Sequence, residues 1–101
     1  MNITKVIENN ETTIQRQIVE YLELKGMIVI RLPAGISSYK IKSCPVGTPD
    51  LLVLGYKQAG FIEVKTPKGK LSKVQEEMHE KLRLRGFKVI IARSLEDVRV
   101  I

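Results

Sequence analysis

Asp50, Glu63 and Lys65 are the residues of this chain whose types and spacing could do chemistry. Asp50 stands in Gly47-Thr48-Pro49-Asp50 at the entry to an apolar run, and Glu63 and Lys65 stand in Phe61-Ile62-Glu63-Val64-Lys65. Side chains alternate along an extended strand, so Glu63 and Lys65 share a face. If the two runs pair as a hairpin, Asp50 enters one strand where Glu63 leaves the other, and both carboxylates reach one end of the sheet. Two carboxylates so close repel, and each raises the other's pKa unless a cation intervenes. Mg²⁺ resolves that repulsion, because it takes one or two carboxylates and fills its octahedron with waters and substrate phosphate oxygens. Lys65 adds a point charge able to neutralise a pentacovalent phosphate or steer an attacking water. The backbone carbonyl of Val64, between the two, is a further oxygen donor. Such a set suits metal-assisted hydrolysis of a phosphodiester.

Two more polar residues interrupt an apolar pattern. Gln75 lies four residues after Leu71 and three before Met78, within the apolar stripe of a predicted helix. Glu11 falls three residues before Ile14 and seven before Ile18, on the line continuing another apolar face. Each has a purely structural reading as well. Asp50 reads as a turn aspartate, and Glu63 with Lys65 as the wet face of a strand. Ser72 with Gln75 matches a capping box, and Glu11 suits the positive end of a helix dipole. It is their conjunction that points to a site.

Composition narrows the chemistry. The 101 residues carry 17 Lys and Arg against 11 Asp and Glu, a net charge of +6, which favours a polyanionic partner such as nucleic acid. Basic residues exceed acidic ones by eight to six through Lys65 and by nine to five after it. One Cys, Cys44, and one His, His79, exclude a disulfide framework and a Cys/His zinc cluster within one chain. His79 follows Met78 among Glu76, Glu77 and Glu80 and reads as part of a solvated helix face. No run approaches the ~18 apolar residues of a membrane span, and no leader is legible in the polar first ten residues. The expectation is one domain over residues 1–101, without membrane or disulfide partner, in the cytoplasm.

The elements that must position these residues are legible. Thr12–Lys25 predicts a helix closed by Gly26. Met27–Leu32 predicts a strand closed by Pro33, and 34–49 a loop. Leu51–Leu54 and Gly60–Lys65 predict a hairpin. Leu71–Arg85 predicts a helix with Leu71, Val74, Met78 and Leu82 on one face, and Phe87–Ala92 a returning strand. The order α-β-β-β-α-β makes an α/β fold, a central mixed sheet flanked by helices.

Pro49-Asp50 followed by Glu63-Val64-Lys65 resembles the PD-(D/E)xK nuclease motif, carried on a restriction-endonuclease-like core. With Gly47-Thr48 before it and Ser72-Lys73-Val74-Gln75 after it, the chain resembles the VRR-NUC (virus-type replication-repair nuclease) family, stand-alone phage or bacterial type, from about Glu11 to Ala92. The resemblance implies catalytic roles for Glu11, Asp50, Glu63, Lys65 and Gln75. It implies Mg²⁺ or Mn²⁺ as cofactor, held by Asp50, Glu63 and the Val64 carbonyl, with Glu11 reached through water. It also implies structure-selective endonuclease activity on DNA of the Holliday-junction kind, by a homodimer. Two symmetric nicks in a four-way junction agree with a two-fold dimer of single centres. Lys68, Lys70 and Lys73 after the motif, and Lys40 and Lys42 in the loop before it, are the expected phosphate contacts. The alternatives are a nonspecific or restriction-type nuclease and a non-catalytic DNA-binding module on the same fold.

Overall fold

The computed structural model describes residues 10–33 and 44–101. Its elements are α1 (Glu11–Leu24), β1 (Ile28–Arg31), β2 (Leu51–Gly55), β3 (Gln58–Val64), α2 (Lys73–Leu84) and β4 (Lys88–Ala92), followed by a short 3₁₀ turn at Leu95–Val98. The strands lie in the order β1-β2-β3-β4. The first two pairings are antiparallel, and β3 with β4 is parallel. The predicted mixed sheet flanked by helices is what forms, and α2 is the crossover that makes the last pairing parallel.

Local chemistry sets the boundaries. Asn10 caps α1, its side-chain oxygen accepting from the Thr12 N–H at 2.7 Å, so the helix starts one residue before the predicted Thr12. Ser72 caps α2, which moves that start from Leu71 to Lys73. The β2–β3 hairpin closes on Gly55 opposite Gln58, so β3 begins two residues earlier than expected and only Tyr56 and Lys57 remain in the turn.

The sheet has two unlike faces. Ile14, Ile18 and Leu22 of α1 pack on Leu51 and Val53 of β2, Ile62 and Val64 of β3, Ala92 and Val98, and this is the apolar core. The opposite face carries the odd-numbered side chains of β3, and α2 lies over it. There Phe61 meets Phe87 edge to face, with ring centroids 5.9 Å apart. Both faces of β3 are therefore covered near its end, and Ile62, Glu63 and Val64 are all buried. The purely structural reading of Glu63 as part of a wet strand face is overturned, because α2 sits where solvent would be. Among the described residues no helix is long and apolar enough to cross a membrane.

Candidate active site

Asp50 precedes β2 directly. Continuing the register of Leu51 opposite Ile62 by one residue sets Asp50 opposite Glu63, at one end of the sheet. The turn before it is held by Thr48, whose hydroxyl and N–H both donate to the Pro45 carbonyl at 2.7 and 3.1 Å, and Pro49 is fully buried. Gly47 has φ +93°, and a Cβ there would stand 2.6 Å from the Val74 carbonyl oxygen. Only glycine meets both conditions. The glycine of Gly47-Thr48-Pro49-Asp50 thus presses the entry of β2 against the first turn of α2.

The Asp50 carboxylate is fixed from β3, its Oδ2 accepting the Val64 N–H at 2.7 Å. In an extended strand a residue's N–H and C=O point to the same side. The Lys65 N–H turns the other way, donating to the Ala92 carbonyl at 3.0 Å. The Val64 carbonyl therefore opens toward Asp50, beyond the start of β2, where no strand residue takes it. Two carboxylates and that carbonyl form a set of hard oxygens, the donor chemistry that Mg²⁺ or Mn²⁺ requires.

Glu63 is 2% exposed. Its Oε1 lies 3.1 Å from His79 Nε2, and its Oε2 accepts from Gln75 Nε2 at 3.4 Å. Burial, then the charge of Asp50 and hydrogen bonding with it, push the Glu63 pKa up to about 8, against the opposing charge of Lys65. Without a cation, Glu63 holds a proton at neutral pH. A bound divalent ion would remove both reasons for that proton, the unscreened neighbour and the unbalanced buried charge.

Gln75 forms the capping box and also reaches the buried carboxylate. Its Oε1 accepts the Ser72 N–H at 2.9 Å and its own N–H donates to Ser72 Oγ at 3.1 Å, completing the capping box, while Nε2 reaches Glu63. One amide caps α2 and braces the buried carboxylate.

His79 is not on a solvated face; it is 1% exposed. The inward line of α2 runs Gln75, His79 and Leu82, with Met78 beside it, and Val74 is turned out to 43% exposure. Glu76, Glu77 and Glu80 are exposed around it, yet the His79 ring itself turns inward. The i, i+4 spacing from Gln75, already in the stripe, was the available signal. Burial, with the charges of Arg83 and Lys65, holds the His79 pKa below its ordinary value, so the imidazole is neutral.

The remaining candidates are placed less tightly. Lys65 is half-buried on the Glu63 side of β3. Glu11 is exposed in the first turn of α1, and its charge adds a small upward push on Glu63. Among the described residues no three His, Cys, Asp or Glu side chains gather at metal-holding geometry, so Glu11 is not drawn in with the pair. Lys68, Lys70 and Lys73 are exposed just past the end of β3. Lys40 and Lys42 lie outside the described residues.

Sequence reasoning missed Arg93. From the end of β4 its Nη1 donates to the carbonyls of Thr66 at 2.8 Å, Gly69 at 2.6 Å and, more weakly, Pro67 at 3.4 Å. It is the staple of the turn that carries Lys68. No local pattern could reveal it, since the partners are 24 to 27 residues away.

Comparison with known proteins bears on the family and the fold. A family model described as the VRR-NUC domain matches residues 5–96. A solved structure titled "VRR_NUC domain" is similar at 33% identity over 87% of this chain and 88% of that one, with a TM-score of 0.66. No curated protein matches.

Proposed function

The chain belongs to the VRR-NUC domain family, a nuclease-type fold, and from that premise we propose that it is a Mg²⁺- or Mn²⁺-dependent, structure-selective DNA endonuclease. Its substrate in this reading is branched DNA of the Holliday-junction kind, cut by a homodimer in the cytoplasm. The observation that carries the reading is the pairing of Asp50 with buried Glu63, whose pKa is pushed up to about 8 by burial and by its neighbour. Perturbed acids paired on one side of a fold mark sites where charge is meant to be met by something bound.

Asp50, Glu63 and the Val64 carbonyl would hold the ion, with Glu11 reaching it through water. When bound, the ion polarises the scissile phosphate and lowers the pKa of a water. The chain's own groups do the rest. The Val64 N–H holds Asp50 in one orientation, and Gln75 braces Glu63. Lys65, on the Glu63 side, would balance charge building on the phosphate oxygens. Lys68, Lys70 and Lys73 would grip the flanking phosphates, and such contacts read backbone shape rather than bases.

Purified protein incubated with labelled four-way junction, flap and linear duplex, in Mg²⁺, Mn²⁺ or EDTA, tests this. Junction cleavage that needs the metal and is lost in Asp50→Ala is expected. Cleavage persisting in EDTA would sink the metal mechanism. Equal cutting of all three substrates would favour a nonspecific nuclease, and metal-independent binding without cleavage a DNA-binding module. Sedimentation at micromolar concentration tests the dimer, which a monomer resolving junctions symmetrically would contradict.

A further inference from the structure

His79 is a buried titratable group that the reaction outlined above does not use. Its Nε2 lies 3.1 Å from Glu63 Oε1, and its Nδ1 is buried with no hydrogen-bond partner among the described residues. Those two facts fix the tautomer. A proton on Nδ1 would be a buried donor with nothing to receive it, costing roughly 1–3 kcal/mol. A proton on Nε2 is received by Glu63 and leaves only a bare lone pair at Nδ1. The Nε2–H therefore donates to Oε1.

The consequence falls on Glu63. One of its oxygens is held by a ring locked inside the protein, at a normal hydrogen-bond length. The other, Oε2, has the longer 3.4 Å contact from Gln75. The two carboxylate oxygens are thus unequally held by His79 and Gln75, and Oε2, with the longer contact, is the one left to face Asp50 or a ligand that takes the place of the proton they share.

We propose that His79 is a positioning residue which captures Oε1 of Glu63 and leaves Oε2 alone to a divalent ion. The assignment rests on the metal-dependent reading given above and deepens it by stating which ion the site prefers. A carboxylate that offers one oxygen suits Mg²⁺ or Mn²⁺, which demand compact octahedral ligation. Ca²⁺ gathers six to eight oxygens, often through both oxygens of one carboxylate, and is disfavoured by the same contact. His79 never touches the ion. It acts through Glu63, as groups bonded to metal ligands commonly do.

The test reads metal binding without DNA. Mn²⁺ affinity is measured by electron paramagnetic resonance, with Ca²⁺ as competitor, on wild type, His79→Leu and His79→Gln. Leucine fills the space without a donor, whereas glutamine can return an N–H close to the Nε2 position. Mn²⁺ binding should weaken by about 10- to 100-fold in His79→Leu, the preference over Ca²⁺ should narrow, and His79→Gln should recover most of both. The melting temperature in EDTA separates this from lost folding. Wild-type-like Mn²⁺ affinity and preference in His79→Leu would overturn the assignment and leave the nuclease reading intact. A wild type that binds no Mn²⁺ would overturn both. Should His79→Leu not fold, the long-range ¹H–¹⁵N spectrum of the wild type decides, since a proton found on Nδ1 refutes the proposed donor.

Discussion

The N–H of Val64 donates to Oδ2 of Asp50 at 2.7 Å. The aspartate of one strand is thus oriented by the middle residue of Glu63-Val64-Lys65 on the next. The motif is one hydrogen-bonded unit in which the apolar residue supplies the geometry and its charged neighbours the chemistry. Asp50→Asn keeps the size of the side chain but removes the charge. It should lower junction cleavage by roughly 10²- to 10⁴-fold, as loss of several kcal/mol of metal-dependent stabilisation requires. Single-turnover cleavage at saturating Mg²⁺ measures it.

The raised Glu63 pKa gives the cation-free protein a pH dependence of definite sign. The unfolded carboxyl ionises above 4.5, whereas the folded one keeps its proton to about 8, so rising pH favours the unfolded chain across that window. His79 works at the acid end: its pKa is lowered from 6.5, so stability is lost as pH falls below that value. Between pH 6.5 and 8 the Glu63 effect acts alone and amounts to on the order of 2 kcal/mol. Urea unfolding in EDTA should show the midpoint falling over that interval. Glu63→Gln should flatten the slope, and Mg²⁺ should oppose it by binding the folded state.

Gln75→Glu separates the two duties of Gln75. A glutamate still accepts the Ser72 N–H and keeps the capping box, but it loses the amide donor to Glu63 and sets a third carboxylate beside the pair. Helix stability should change little, while metal-free stability at pH 8 and cleavage both fall. Gln75→Ala also loses the acceptor for the Ser72 N–H, while the backbone N–H of residue 75 still donates to Ser72 Oγ, so the helix should lose some stability but keep its cap. Circular dichroism melts run beside cleavage assays distinguish them.

Gly47→Ala should destabilise the fold by roughly 2–4 kcal/mol, because it combines a left-handed φ with a clash against backbone that cannot retreat. Since the clash is with Val74, the displaced part is the approach of the Asp50 turn to α2. Cleavage at temperatures well below the melting point should therefore drop too, which the same unfolding and activity measurements reveal.

Arg93→Met should release the Thr66–Gly69 turn. Three carbonyls lose a charged donor, a change of roughly 1.5–3 kcal/mol for the stronger contacts. Amide hydrogen exchange in residues 66–70 should accelerate, and junction affinity should fall several-fold. Removing Lys68, proposed above to grip phosphate, should lower the slope of affinity against salt by about one.

The sheet order and the carboxylate pair are legible in the sequence because they rest on short-range rules. Alternation in Phe61–Lys65 and closure of the Gly55–Gln58 turn settle which residues meet. What the sequence hides depends on the side of α2 that docks. Leu71, Val74, Met78 and Leu82 define a stripe that shares only Met78 and Leu82 with the true one, and three glutamates around His79 make it look wet. The helix turns Val74 outward because Gly47 takes the space beneath its backbone, a contact between segments 27 residues apart in sequence. Arg93 is hidden for the same reason: its role exists only after β4 lies beside β3.

The hairpin that brings Asp50 to Glu63 also sends its turn to the other end of the sheet. Tyr56 there is 86% exposed, Lys57 adopts a left-handed φ of 66°, and the strand between them and Glu63 spans roughly 20 Å. Loop tips of this kind tolerate lengthening. The tip is accordingly the point of attachment for a fluorophore, an affinity tag or a fused targeting module, which could direct the protein to a chosen locus while leaving its carboxylates undisturbed.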